Sequence, residues 1–151
     1  MNGMQIRTAT SVDASSLVEF NQAMALETEG KQLDPDTLSR GVEAVFGDPG
    51  KGFYVVAEDA GKIAGGLMVT FEWSDWRNSW FWWIQSVFIR HEYRGKGIYR
   101  LLYEHVKQRA AEKGSVCGFR LYVETENTNA QAVYDAVGMH ASHYLMYEEE
   151  V

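Results

Sequence analysis

The run Arg94-Gly95-Lys96-Gly97-Ile98 has the residue types and the spacing to hold an anion. It lies shortly after an apolar stretch, Trp80 to Ile89, and leads into residues with helical spacing, so a strand turns through two glycines directly into a helix. Glycine lets the backbone enter conformations that a side chain obstructs, and the first turn of a helix leaves several N–H groups without an intrahelical acceptor. Those donors, the positive end of the helix dipole and the cations Arg94 and Lys96 together suit a phosphate or a pyrophosphate. The same residues also suit a plain glycine-softened turn. Neither common nucleotide pattern is present: there is no GxxxxGKS or GxxxxGKT, and Arg100 stands where GxGxxG needs its third glycine.

Two segments in the right order resemble the GNAT family of N-acetyltransferases. The first is the glycine loop, which follows the family's Q/R-x-x-G-x-G/A motif at Arg94, Gly97 and Ile98, with Tyr99 in place of the final Gly or Ala. The second lies about thirty residues downstream, where Asn127, Ala130, Val133, Tyr134 and Gly138 follow N-x-x-A-x-x-hydrophobic-Tyr-x-x-x-G-F, with Met139 for the Phe. The resemblance implies an α/β (α+β) domain over residues 1–151 with a central mixed, mostly antiparallel sheet flanked by about four helices. It also implies acetyl-CoA as cosubstrate and transfer of its acetyl group to an amine. The pyrophosphate would lie on Arg94, Gly95, Lys96, Gly97 and Ile98, and the pantetheine arm and thioester carbonyl along the backbone of a bulged strand at Ser86, Val87, Phe88 and Ile89.

Acyl transfer from a thioester needs a free amine lone pair, a donor for the developing oxyanion and a proton for the departing thiolate. Tyr134 matches the tyrosine that in many relatives lies near the coenzyme sulfur, and a phenol of pKa about 10 can protonate a thiolate whose acid has pKa about 8.5. The alternative for Tyr134 is a core aromatic. Asn127 matches a cofactor contact and equally reads as a helix cap. Many relatives have a glutamate where this chain has Gln85, so the base must come from Glu27 or Glu29 between the first two helices, from Glu72, or from water. The family's acceptor side makes Glu27, Glu29, Trp83 and Gln85 candidate substrate contacts. A second function class is a non-catalytic acyl-CoA-binding module that has lost its base.

Composition narrows the partners. The chain has 151 residues and a formal net charge of -7, which disfavours sequence-independent binding to nucleic acid and suits a cationic amine, whether a small molecule or a peptide. The longest apolar run is too short to span a membrane, and with no basic-plus-apolar leader the expected compartment is the cytoplasm. The one cysteine, Cys117, fits a reducing compartment and is expected to be small, buried and inert. His140 and His143 have a metal-like gap but point to opposite faces of a strand, so no metal site is expected. His105 reads as a core or boundary residue, and His91 as exposed beside the loop. Five tryptophans crowd into residues 73–83, with Trp82 and Trp83 on opposite faces. Core, acceptor pocket and homodimer contact are all open to them.

The elements that must position these residues follow the order β-α-α-β-β-β-α-β-α-β. Strands are expected at Met4 to Ala9, Phe53 to Glu58, Ile63 to Phe71, Trp80 to Ile89, Phe119 to Glu124 and Ser142 to Tyr147. Helices are expected at Ala14 to Ala25, from Asp34-Pro35 to Gly47, at Gly97 to Lys113 and after Asn127. The stripe Ile98, Leu101, Leu102, His105 and Val106 should face the sheet.

Overall fold

A computed structural model describes residues 3–151. The elements are β1 (Met4–Thr8), α1 (Ala14–Glu29), α2 (Pro35–Gly47), β2 (Phe53–Asp59), β3 (Lys62–Ser74), β4 (Ser79–Ile89), α3 (Ile98–Lys113), β5 (Val116–Arg120) and α4 (Thr128–Ala136). One sheet carries all five strands in the order of the sequence, antiparallel except for the parallel pair β4 and β5. Only that last pair needs a crossover, and α3 supplies it.

Local chemistry accounts for most boundaries. Asp34 accepts a hydrogen bond from the Thr37 N–H at 2.9 Å, and Pro35 at the first helical position needs no donor of its own. The β2–β3 hairpin turns at Ala60 and Gly61, both at positive φ, the geometry that matches the right-handed twist of the flanking strands. The first helix runs four residues beyond the expected Ala25, because Leu26 to Glu29 are helix-compatible and the chain stops only at Gly30, at φ +64°. Glu27 and Glu29 therefore stand on the last turn of α1, and not in the segment that joins it to α2.

Helices cover both faces of the sheet. On one face α3 lays Ile98, Tyr99, Leu102, Tyr103, Val106 and Ala110 against Val55, Leu67, Val69, Trp82 and Ile84. Tyr99, Tyr103 and Ala110 complete that stripe where Leu101 and His105 were expected, since the i, i+4 row from Ile98 to Ala110 sets the buried side. His105 is half-buried, and desolvation lowers its pKa. On the other face α1 and α2 bury Leu17, Phe20 and Val42 over Tyr54, Val56 and Phe88.

Three more expectations fail. The strand expected at Phe119 to Glu124 runs from Val116 to Arg120, because its pairing with β4 ends where Arg120 faces Trp83. Ser142 to Tyr147 is not a strand: residues 140–151 are exposed throughout and meet no sheet edge of their own chain, and a strand without a ladder partner is not stable. Cys117 is exposed, because β5 is an edge strand, and its Sγ lies 3.4 Å from the Trp80 carbonyl.

Candidate active site

The site begins with an irregularity in β4. Across β3 and β4, Gly66 pairs with Phe88 and Met68 with Gln85, so Leu67 alone faces both Ser86 and Val87. This is a β-bulge, with Ser86 held at φ +53°. A left-handed serine costs on the order of 1 kcal/mol, and such strain collects at functional positions. The extra residue also reverses the alternation of side chains. Trp82 and Ile84 point to the α3 face before the bulge, Val87 and Ile89 point there after it, and Phe88 packs 5.2 Å from Phe20 on the opposite face.

Beyond the bulge the sheet parts. Strands β4 and β5 pair only from Trp80 with Val116 to Trp83 with Arg120. From Ile84 to Ile89 the β4 backbone has no β5 partner, so a cleft opens whose wall is the unpaired β4 edge, with the Ile89 carbonyl taken by Arg94. Val87, Phe88 and Ile89 form that wall.

The glycine loop lies past the end of β4. Gly95 and Gly97 adopt φ +74° and +78°, and a Cβ placed on either would meet no atom within 4 Å. The glycines thus serve a backbone conformation and leave open space before it. The first bond of α3 runs from the Leu101 N–H to the Gly97 carbonyl, so the N–H groups of Ile98, Tyr99 and Arg100 precede the intrahelical ladder. This geometry fits a diphosphate. Tyr99, at the position of a family Gly or Ala, does not obstruct it: its ring is buried between Tyr103 at 5.9 Å and Tyr134 at 5.3 Å.

Arg94 is committed elsewhere. Its two Nη atoms donate to both oxygens of Glu27 at 2.9 Å, and its Nε donates to the Ile89 carbonyl at 2.7 Å. The His91 Nε2 reaches Glu27 Oε1 at 2.7 Å. These contacts tie the last turn of α1 to the end of β4 and to the start of the loop. Hydrogen bonding to Arg94 holds the Glu27 carboxyl below the usual carboxylate range, which makes it a poor base. Glu29 faces solvent and lies 3.5 Å from Lys31. No sequence signal linked Glu27 to Arg94 across sixty-seven residues.

Tyr134 is half-buried on α4 and packs on the same core face as Val87 and Ile89. Burial pushes its phenol pKa up, so the proton is retained through neutral pH. Asn127 caps α4, its Oδ1 accepting from the Ala130 N–H at 3.1 Å. On the opposite face, Gln85 donates to Thr70 Oγ1 at 2.6 Å and Trp83 Nε1 donates to Glu72 at 2.9 Å. Glu72 is also held by Arg120 at 2.8 Å. The tryptophans divide: Trp82 is buried, Trp80 is half-buried against the same core, and Trp76 is almost fully exposed.

A cavity of about 380 Å³ opens between α1, α2 and the sheet on the face opposite α3. Asn21, Thr37, Lys51, Tyr54, Thr70 and Ser86 supply its polar atoms, so it reaches the bulge itself. No carboxylate and no histidine lines it. Sequence reasoning missed this cavity, because its residues come from five elements with no common spacing.

Residues 16–139 match the model of the acetyltransferase (GNAT) family. The chain belongs to the GNAT family. GNAT proteins take an acetyl group from acetyl-CoA. A structure from Clostridium difficile 630, described as a possible acetyltransferase, is 45% identical, covers 98% of this chain and 97% of its own, and superposes with a TM-score of 0.90. Mycothiol acetyltransferase of Corynebacterium aurimucosum is 28% identical over 91% of this chain, which spans about half, 49%, of that curated relative. A GNAT-like fold also appears in a protein of Clostridium acetobutylicum described as a predicted acetyltransferase with acetyl-CoA, at 18% identity, coverage of 97% and 96%, and a TM-score of 0.79.

Among the described residues no helix is long and apolar enough to cross a membrane, and no group of three or more His, Cys, Asp or Glu could hold a metal ion.

The Glu27 geometry gives a first expected result. Glu27→Gln should weaken acetyl-CoA binding two- to fivefold, the worth of an exposed ion pair of up to about 1 kcal/mol. The acceptor KM should stay unchanged, and Glu29→Gln should alter neither quantity. A fall of a hundredfold or more in kcat at constant acetyl-CoA affinity would instead make Glu27 the base.

Proposed function

We propose that this GNAT protein acetylates a primary amine of a small molecule or a peptide in the cytoplasm, by direct transfer within a ternary complex. The observation that carries the reading is the bulged strand with a different opening on each face. The cleft and glycine loop suit the coenzyme on one side, and the cavity that reaches Ser86 suits the acceptor on the other.

Acetyl-CoA supplies an acetyl group activated as a thioester. The loop N–H groups from Gly95 to Arg100, with Lys96, hold the diphosphate. The backbone of Val87, Phe88 and Ile89 pairs with the pantetheine arm, and a bulge N–H faces the thioester carbonyl to stabilise its developing charge. The neutral amine nitrogen bonds to the acyl carbon, the C–S bond breaks as the Tyr134 phenol gives its proton to sulfur, and the proton shed by the newly acylated nitrogen passes through water to restore the phenol. Asn127 orders the start of α4 and so the approach of Tyr134. Trp83 and Gln85 bound the acceptor side through Glu72 and Thr70.

The amine must lose its own proton. With no acidic or imidazole side chain lining the cavity, that proton leaves by water to bulk solvent. The rate at subsaturating acceptor should therefore climb about tenfold per pH unit from pH 6 towards the amine pKa, about 10 for an alkylamine. Tyr134, with its pKa raised, stays protonated across this range and adds no falling limb. A plateau beginning near pH 7 would assign a base to the protein.

The test is release of coenzyme A thiol with polyamines, aminoglycosides, amino acids and peptides as acceptors. Turnover with an amine supports the reading. Acetyl-CoA binding without release for any acceptor favours the non-catalytic acyl-CoA module, to which Gln85 in place of a carboxylate would then belong.

A further inference from the structure

The cavity beside the bulge has a lining that the charge of the whole chain conceals. A net charge of -7 draws cations to the surface, yet the space of about 380 Å³ is lined by no carboxylate, and its one charged side chain is Lys51. A second ammonium group would find no counterion there. Much of the wall is apolar, with Leu38, Val42 and Val45 from α2 and Met68 from β3.

Tyr54 is the feature that calls for a ligand. Only 4% of the residue is exposed, its ring packs 5.5 Å from Phe46, and its hydroxyl makes no hydrogen bond to a described residue. Burial raises its pKa, so the phenol keeps its proton and stands in the cavity as a donor without an acceptor. An anionic oxygen satisfies such a desolvated donor best, since hydrogen bonds to charged groups are about twice as strong as neutral ones.

Lys51 lies at the same end. The turn from Asp48 closes with the Lys51 N–H on the Asp48 carbonyl at 3.0 Å, and β2 starts two residues later. Lys51 Nζ meets Asp48 Oδ2 at 3.1 Å, but both side chains are more than half exposed, and so weak a pair yields readily to a ligand carboxylate. The bulge is the other end. Tyr54 pairs with Met68, and Met68 with Gln85, the neighbour of Ser86, so the two ends stand two strand spacings apart, roughly 10 Å.

We propose that the acceptor is an ω-amino carboxylate with an apolar body, its amine at Ser86 and its carboxylate held by Tyr54 and Lys51. The position of the amine rests on the acetyl-transfer reading, which puts the thioester at the bulge; the carboxylate end does not depend on it. Diamines and polycationic amines are excluded, because their second cation would face Lys51 in a space with no carboxylate.

Calorimetry with saturating coenzyme A present tests the site without requiring turnover. The probes are ω-amino acids of four, six and eight carbons, the diamines of the same lengths and the corresponding alkylamines. At least one ω-amino acid should bind ten times or more tightly than its matched diamine. Tyr54→Phe keeps the ring and should narrow the gap between that ω-amino acid and its alkylamine roughly tenfold or more, and Lys51→Met should narrow it roughly two- to fivefold. A diamine that binds as well as its ω-amino acid, no binding of an ω-amino acid at any length, or a gap untouched by both variants would each overturn the proposal. Thiol release is then followed with acetyl-CoA and the ω-amino acid that binds. Binding as expected with no release leaves the carboxylate site standing and overturns the acetyl-transfer reading instead.

Discussion

Replacing Gly97 with valine is expected to abolish the rise in melting temperature that acetyl-CoA gives the parent chain, while leaving a folded protein. At a hundredfold excess over Kd, a ligand that binds only the folded state stabilises it by about 2.7 kcal/mol, or roughly 5–10 °C for a domain of this size. Gly97 sits at φ +78°, and a Cβ there meets nothing within 4 Å. The cost of valine is therefore conformational. A β-branched residue resists the left-handed region, so the loop must relax and its N–H groups cease to converge. Because the position is open, the core contacts of α3 do not depend on it. Differential scanning fluorimetry with and without acetyl-CoA reads the effect directly, and an undiminished shift in the variant would remove the diphosphate from this loop.

Tyr134→Phe should lower kcat by roughly 10²- to 10⁴-fold, the range for loss of a positioned general acid, with acetyl-CoA affinity nearly unchanged. The phenylalanine keeps the ring that packs edge-on at 5.3 Å against Tyr99 and deletes only the hydroxyl. That hydroxyl donates no hydrogen bond to a described residue, so its removal strands no buried partner. Steady-state kinetics with a verified acceptor separates the two roles. Full activity in the variant returns Tyr134 to the core.

Much of the architecture is legible in local chemistry. Asp34-Pro35 opens α2 because the cap and the fixed φ of proline act within one turn, and Ala60-Gly61 turns the hairpin because only left-handed residues fit it. The loop from Arg94 to Ile98 reads the same way, since two glycines before a helical stripe imply free N–H groups wherever the helix docks. By contrast, the end of α1 depended on Gly30 and not on the apolar stripe, which stopped a turn earlier.

What the sequence alone determined about this protein is the order of its elements from β1 to α4, the glycine loop at the start of α3 and the family to which these point. Each depends on residues close together in the chain, where propensity and spacing act. The tertiary structure decided the rest. Glu27 became the partner of Arg94, which lowers its carboxyl pKa, because α1 crosses the end of β4, a contact between residues distant in sequence. The cavity at Ser86 exists only where α1, α2 and three strands converge. Ser142 to Tyr147 has the alternation of a strand but no intrachain partner, because a strand is stable only when another edge accepts its hydrogen bonds.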